Sequence, residues 1–137
     1  KNNWCAEEGV RIERIAGDGH CLYAALGKSR NLSPYEVRKI LHDRAEELWD
    51  FHLEFDSHQG ALEDFKSETM DLNQWGGADQ ILMWTKIYRM KIEVYAYNMA
   101  LLTYDADLFI TNKECIILLY YNHKTWGDGP NHYDLLY

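Results

Sequence analysis

Near the end of the chain, Cys115-Ile116-Ile117-Leu118-Leu119-Tyr120 forms an apolar run without a break. A run like this marks a β-strand buried on both faces, because a strand with one wet face alternates apolar and polar side chains. The chain must therefore supply a sheet and something to cover it. Its 137 residues are enough to enclose one core. An apolar share of 47% is that of a globular domain and not of a disordered tail.

The rest of the pattern supplies those parts. Val10 to Ile15 and Lys91 to Tyr97 alternate as strands, and a further strand closes the chain from His132 to Tyr137. Leu101 to Tyr104 and Leu108 to Ile110 read as short strands or loop. Between the first strand and the later ones the period changes to that of helices. Cys21 to Leu26 is expected to be helical, with Gly27 as its stop. Ser33-Pro34-Tyr35-Glu36 is a helix start: Ser33 caps, Pro34 suits the first position and Glu36 completes a capping box. Val37, Ile40, Leu41, Ala45 and Leu48 then keep helical spacing to about Phe51. His58 to Met70 is a weaker helical segment, and Ala78 to Met90 a further helix after the break at Trp75-Gly76-Gly77. The order predicts an α+β fold, a small central and mostly antiparallel sheet flanked by helices.

Composition narrows the function classes. A formal net charge of -8 repels nucleic acid. It suits a basic partner, or serves solubility alone. No apolar run reaches the eighteen or so residues of a membrane span, so no membrane partner is expected. Three cysteines, Cys5, Cys21 and Cys115, stand at wide spacing without a CxxC pair, which argues against a disulfide scaffold or structural zinc and for a reducing, intracellular compartment, the cytoplasm. No metal and no cofactor is expected. The start Lys1-Asn2-Asn3-Trp4 has neither an initiator Met nor an apolar signal region, and the chain ends just after apolar residues. The expectation is one domain, residues 1–137, cut from a longer protein.

The chemistry points to Cys21. It follows the turn Gly17-Asp18-Gly19-His20 and opens a helix, whose N-terminal partial charge favours a thiolate. The backbone N–H groups of such a turn can converge on one point, as an oxyanion hole requires. A thiolate nucleophile needs a histidine to carry protons. Of the six histidines, His42 and His52 lie on a helical stretch facing solvent, His58 at a helix start and His123 in a polar loop, while His20 adjoins Cys21 and diverges from it. His132 opens the last strand with Asp134 two residues on, and residues so spaced share a face, so the carboxylate can hold the imidazole. Taken alone, either half of this pair also reads as ordinary structure, a cysteine in a turn or a strand entry.

Taken together and in order, the motifs resemble the ovarian-tumour (OTU) family of cysteine proteases. Asp18-Gly19-His20-Cys21-Leu22-Tyr23 resembles the family's Asp-Gly-x-Cys-Leu-aromatic nucleophile motif, with His20 where Asn is commonest. Ser33-Pro34-Tyr35-Glu36-Val37-Arg38 is similar to the start of its next helix, Trp75-Gly76-Gly77-Ala78-Asp79 to its Trp-Gly-Gly block, and Asn131-His132-Tyr133-Asp134 to its histidine block. The resemblance spans about Val10 to Tyr137. It implies a papain-like OTU fold and a deubiquitinating thiol isopeptidase that hydrolyses the bond between the C-terminal glycine of ubiquitin, or of a ubiquitin-like modifier, and a lysine. It implies Cys21 as nucleophile, His132 as general base, Asp134 as the residue orienting His132, and Asp18 as a signature residue shaping the turn. Backbone N–H groups of Asp18, Gly19 and Cys21 would face the oxyanion. Trp75, Gly76 and His20 would touch substrate, Trp75 and Gly76 by walling a channel narrow enough for a Gly-Gly tail. Acidic stretches, Glu46-Glu47 with Asp50, Glu54 and Asp56, and Glu63-Asp64 with Glu68, suit the basic rim of ubiquitin. They also suit a plain solvated face. Two other functions fit the same residues: a non-catalytic ubiquitin-binding module of this fold, and a viral protease that processes its own polyprotein in the host cytoplasm.

Overall fold

The apolar run becomes the middle of a sheet. In the computed structural model of the protein, which describes residues 12–13, 20–49, 60–74, 76–96, 101–105, 113–121 and 132–136, it is strand β4 (Cys115–Tyr121). One edge of β4 pairs in parallel with β2 (Lys91–Ala96), from Lys91 opposite Cys115 to Ala96 opposite Tyr120. The other edge pairs antiparallel with β5 (His132–Leu136), from Ile117 opposite Leu136 to Tyr121 opposite His132. β3 (Leu101–Asp105) returns antiparallel along β2, and β1 (Ile12–Glu13) adds to the far edge of β5. The order is β1-β5-β4-β2-β3, mixed but mostly antiparallel. Ile116, Leu118 and Leu119 are buried, so both faces of β4 contribute to the interior, as an unbroken apolar strand must.

Helix α1 (Cys21–Gly27) packs against β5 and α2, and α2 (Pro34–Leu48) packs in turn against α3 (Ala61–Met70) and α4 (Ala78–Tyr88). The start of α2 is the capping box read from the sequence. Ser33 Oγ accepts from the Glu36 N–H at 3.1 Å, Glu36 Oε1 accepts from the Ser33 N–H at 2.7 Å, and Pro34 takes the first turn. Leu22, Tyr23, Leu26, Val37, Leu41, Ile81, Trp84, Ile92 and Leu118 belong to one core cluster. Among the described residues, no helix is long and apolar enough to cross a membrane.

Some boundaries differ from the sequence pattern for identifiable reasons. The first α-helix does end at Gly27, but without a left-handed glycine cap. The chain tightens into a 3₁₀ turn, Lys28–Arg30, and ends on Asn31 in the left-handed region at φ 57°. Gly27 serves a close approach instead, since a Cβ there would lie 2.5 Å from the Leu32 carbonyl oxygen. The second helix ends at Leu48 rather than near Phe51, with Trp49 extended at its cap. The weak segment is helical from Ala61, behind Gly60 at φ 85°. The fourth helix stops at Tyr88, where left-handed Arg89 caps it, and not at Met90. Leu101 to Asp105 is a strand. Of Val10 to Ile15 only Ile12–Glu13 falls within the described residues, and Leu108 to Ile110 lies outside them.

Candidate active site

Cys21 is the first residue of α1 and is 1% exposed. The residue before it, His20, is the N-cap, with φ -108° and ψ 9°, the sparsely populated bridge region between helix and strand. The first intrahelical bond runs from the Ala24 N–H to the His20 carbonyl at 2.8 Å. The N–H groups ahead of it have no acceptor within the helix. Because α1 lies against β5, the helix that begins at Cys21 packs on the strand that begins at His132. Within that strand Asp134 is fully buried, paired in register with buried Leu119. The structure thus brings Cys21 and the His132–Asp134 strand into one packing unit. Asp18, Gly19 and Trp75, and the side chain of His132, lie outside the described residues.

Two buried tyrosines flank the cysteine. Burial pushes the Tyr23 phenol up to about 12, with Arg38 pulling the other way and Glu68 and Cys21 adding to the rise. Burial likewise raises Tyr133, with smaller contributions from Tyr120, Tyr104, Cys21 and Tyr23. Both phenols stay neutral at physiological pH. The Tyr23 hydroxyl has no hydrogen-bond partner among the described residues.

Tyr133 also belongs to a cleft of about 300 Å³, walled by Gly76, Gly77, Ile81, Val94, Leu102, Tyr104 and Tyr120 among others. The Tyr120 and Tyr133 rings pack with centroids 5.0 Å apart. Gly76 stands where this cleft meets α1. A Cβ on it would lie 2.6 Å from Leu22 Cδ2 and 3.1 Å from Tyr23 Cζ, so only glycine lets the segment lie this close to the helix. A Cβ on Gly77 would meet only Gln80 Oε1, at an ordinary contact distance of 4.0 Å, and the Gly77 N–H donates to that same oxygen at 2.9 Å.

His20 is not among the residues that line the cleft; it meets α2 instead. Its Nδ1 lies 3.0 Å from Nη2 of Arg38, a fully buried arginine on α2. Sequence reasoning assigns Arg38 no role beyond its place in a motif. A signal is nonetheless there to read: Arg38, Leu41 and Ala45 share the i, i+3, i+7 stripe that α2 buries.

The acidic stretches have a structural use where they are described. Glu63 and Asp64 sit in the first turn of α3, where negative charge complements the helix, and Lys66 lies 3.8 Å from Glu46 across the α2–α3 contact. Among the described residues, no cluster of three or more His, Cys, Asp or Glu could hold a metal ion.

The profile of OTU-like cysteine proteases matches residues 16–133, from before the nucleophile turn to the histidine strand. The chain belongs to that family. Solved OTU structures share its fold. The OTU domain of OTUD1 superposes with a TM-score of 0.76 at 16% identity, covering 98% of this chain and 90% of that one. The Hazara virus OTU bound to ubiquitin gives 0.68 at 21% identity, covering 93% and 80%. A ubiquitin-bound OTU deubiquitinase from Wolbachia pipientis wMel gives 0.60 at 13% identity, covering 95% and 96%. A comparison with curated protein sequences finds no match. The α+β, papain-like architecture expected of an OTU domain is therefore the one present.

Proposed function

We propose that this OTU domain is a deubiquitinating thiol isopeptidase. Cys21 attacks the carbonyl carbon of the C-terminal glycine of ubiquitin, or of a ubiquitin-like modifier. The observation that carries the reading is the packing of α1, which starts at Cys21, on β5, which starts at His132. His132 takes the thiol proton, and the negative charge of the tetrahedral intermediate falls on the carbonyl oxygen, met by the backbone N–H groups of Asp18, Gly19 and Cys21. When the C–N bond breaks, His132 returns the proton to the leaving lysine amine. Water then attacks the thioester, gives its proton to His132, and releases the carboxylate and the thiol. Asp134 orients His132, and Asp18 shapes the turn.

The enclosure of Cys21 supports a slim reacting segment, which a Gly-Gly tail is. The cleft that runs from Tyr133 past Gly76 and Gly77 to Leu102 is where we place the arriving chain. The OTU domains from Hazara virus and Wolbachia bind ubiquitin, which supports the same partner here. The same reading treats residues 1–137 as a single catalytic domain. The test is hydrolysis of ubiquitin conjugates beside conjugates of ubiquitin-like proteins. Release of free ubiquitin that stops in Cys21→Ala and His132→Ala supports the proposal. Binding of ubiquitin by a folded sample with no release of any modifier would replace it with a binding module.

A further inference from the structure

The role of helix α2 in the site turns on Arg38. Its side chain is fully buried, and all four N–H bonds of its two terminal nitrogens have acceptors. Nη1 donates to the carbonyls of Thr69 at 2.8 Å and Asp71 at 3.0 Å. Nη2 donates to the carbonyl of Gln74 at 3.0 Å and meets His20 Nδ1 at 3.0 Å. The guanidinium also lies over the Tyr23 ring, 4.1 Å from its centroid. Burial lowers its pKa from the ordinary arginine value, while Tyr23 and Asp71 oppose that. It stays cationic at physiological pH.

The acceptors identify what is being joined. Thr69 and Asp71 carry the last carbonyls of α3 and its cap, the negative end of that helix, left without intrahelical donors. Asp71 and Gln74 form the turn after it, closed by the Gln74 N–H on the Asp71 carbonyl at 2.9 Å and by the Asn73 N–H on Asp71 Oδ1 at 2.9 Å. Gln74 is two residues before Gly76, which packs on Leu22 and Tyr23 of α1. His20 is the residue before Cys21. One side chain thus ties the segment after α3, two residues short of Gly76, to the N-cap residue beside Cys21.

We propose that Arg38 is a positioning residue that acts on Cys21 through His20. An arginine has donors only, so the His20 nitrogen facing it must accept. The contact therefore fixes the Nε2–H tautomer of His20 and the orientation of its ring, and with them the backbone of the N-cap. Tolerances at a nucleophile are tight enough that a small displacement of this turn lowers turnover without changing how the distant body of a substrate is held. This inference rests on the proposed hydrolase reading for its kinetic arm and on geometry alone for its spectroscopic arm.

Three variants test it, His20→Leu, His20→Asn and Arg38→Met, with the double variant Arg38→Met/His20→Leu. His20→Leu is expected to lower kcat roughly 10-fold or more with KM changed less than about twofold. His20→Asn, whose amide oxygen can accept at the place of Nδ1, restores kcat. Arg38→Met lowers kcat similarly, and the double variant is no worse than the poorer single one, since both remove the same contact. The ¹⁵N shifts of the His20 ring in the wild type are expected to show an unprotonated Nδ1 and a protonated Nε2, a signature lost in Arg38→Met. Full kcat in His20→Leu, failure of His20→Asn to restore it, or a protonated Nδ1 in the folded wild type would overturn the proposal. If Arg38→Met does not fold, the two His20 variants and the wild-type spectrum decide it. A wild type that shows the tautomer but cleaves no modifier overturns the hydrolase reading and the kinetic role together, and leaves the contact itself established.

Discussion

Behind His20, the residue before Cys21, a buried guanidinium meets three carbonyls and an imidazole, and every terminal N–H it carries is used. Where Gly76 packs on α1 begins a cleft of tyrosines, glycines and aliphatic side chains that includes Leu102, 58% exposed. The first region is polar and buried, with only the Arg38 Nε and the Tyr23 hydroxyl lacking a partner among the described residues; the second is apolar and open. Under the proposed chemistry, their contrast separates two demands on a nucleophile. Its backbone has to be held still, which directional bonds to a rigid donor do well. Its substrate has to come and go, which a shallow apolar wall permits. Tyr23 stands between the regions, with Arg38 over its ring and Gly76 against its edge.

The largest stability effect expected from this contrast is at alkaline pH. Tyr23 has a folded pKa of about 12 against an ordinary value of 10.0. Between those values the unfolded chain gives up a proton that the folded one keeps, so the Tyr23 contribution is full below about pH 10 and is lost as pH rises toward about 12. The difference is worth roughly 3 kcal/mol. Tyr23→Phe should keep the contact with Arg38, remove an unpartnered buried hydroxyl and flatten the alkaline limb of a urea-denaturation series, leaving the part due to Tyr133. An unchanged limb would show that Tyr23 is not enclosed as described.

Next in size is the pair of glycines where the regions meet. Gly76→Ala drives a methyl group into Leu22 and Tyr23 and should cost about 1–3 kcal/mol. Gly77→Ala has room and should stay within about 0.5 kcal/mol. Equal effects would mean that the glycines are interchangeable, which the packing denies.

Smaller changes should fall on one side only. Leu102→Ala in the cleft should leave the melting temperature nearly unchanged and raise KM for a ubiquitin substrate about 3- to 10-fold, the loss of roughly one aliphatic contact. A fall in kcat at constant KM would instead group Leu102 with Arg38 and His20. Ser33→Ala removes the cap of the helix that carries Arg38, and should cost about 1 kcal/mol in denaturation with KM unaffected.

The legibility of the two regions in the sequence differs for a physical reason. The central strand, the capping box of α2 and the order of elements rest on local pattern, and each appears where the pattern puts it. The family resemblance is readable because the implied chemistry needs particular residues in a particular order, and of its motifs the helix start at Cys21, Gly76-Gly77 and the strand from His132 fall within the described residues, while Asp18, Gly19 and Trp75 do not. Gly27 ends its α-helix as read, but what requires a glycine there is the close approach of Leu32 and Val37, which lie beyond its own turn. Arg38 escapes notice for the same reason in stronger form. A charged residue on a helix is read as solvated, and its acceptors at Thr69, Asp71 and Gln74 are backbone carbonyls, which leave no mark in a sequence. The tyrosine cleft is assembled from α4, β2, β3, β4 and β5, so no single segment announces it.

The proposed chemistry stands or falls on Cys21 being the nucleophile among the cysteines. Cys115 provides an internal control. It is exposed, yet desolvation and then the nearby Glu93 carboxylate push its thiol up, and its Sγ lies 3.7 Å from the Ile116 carbonyl oxygen. The deciding experiment treats the folded chain with ubiquitin carrying a C-terminal electrophile and maps the adduct by peptide mass spectrometry. One adduct is expected, on the peptide bearing Cys21, and it should be lost in Cys21→Ala. An adduct on Cys5 or Cys115, or none on a folded chain, would refute the assignment.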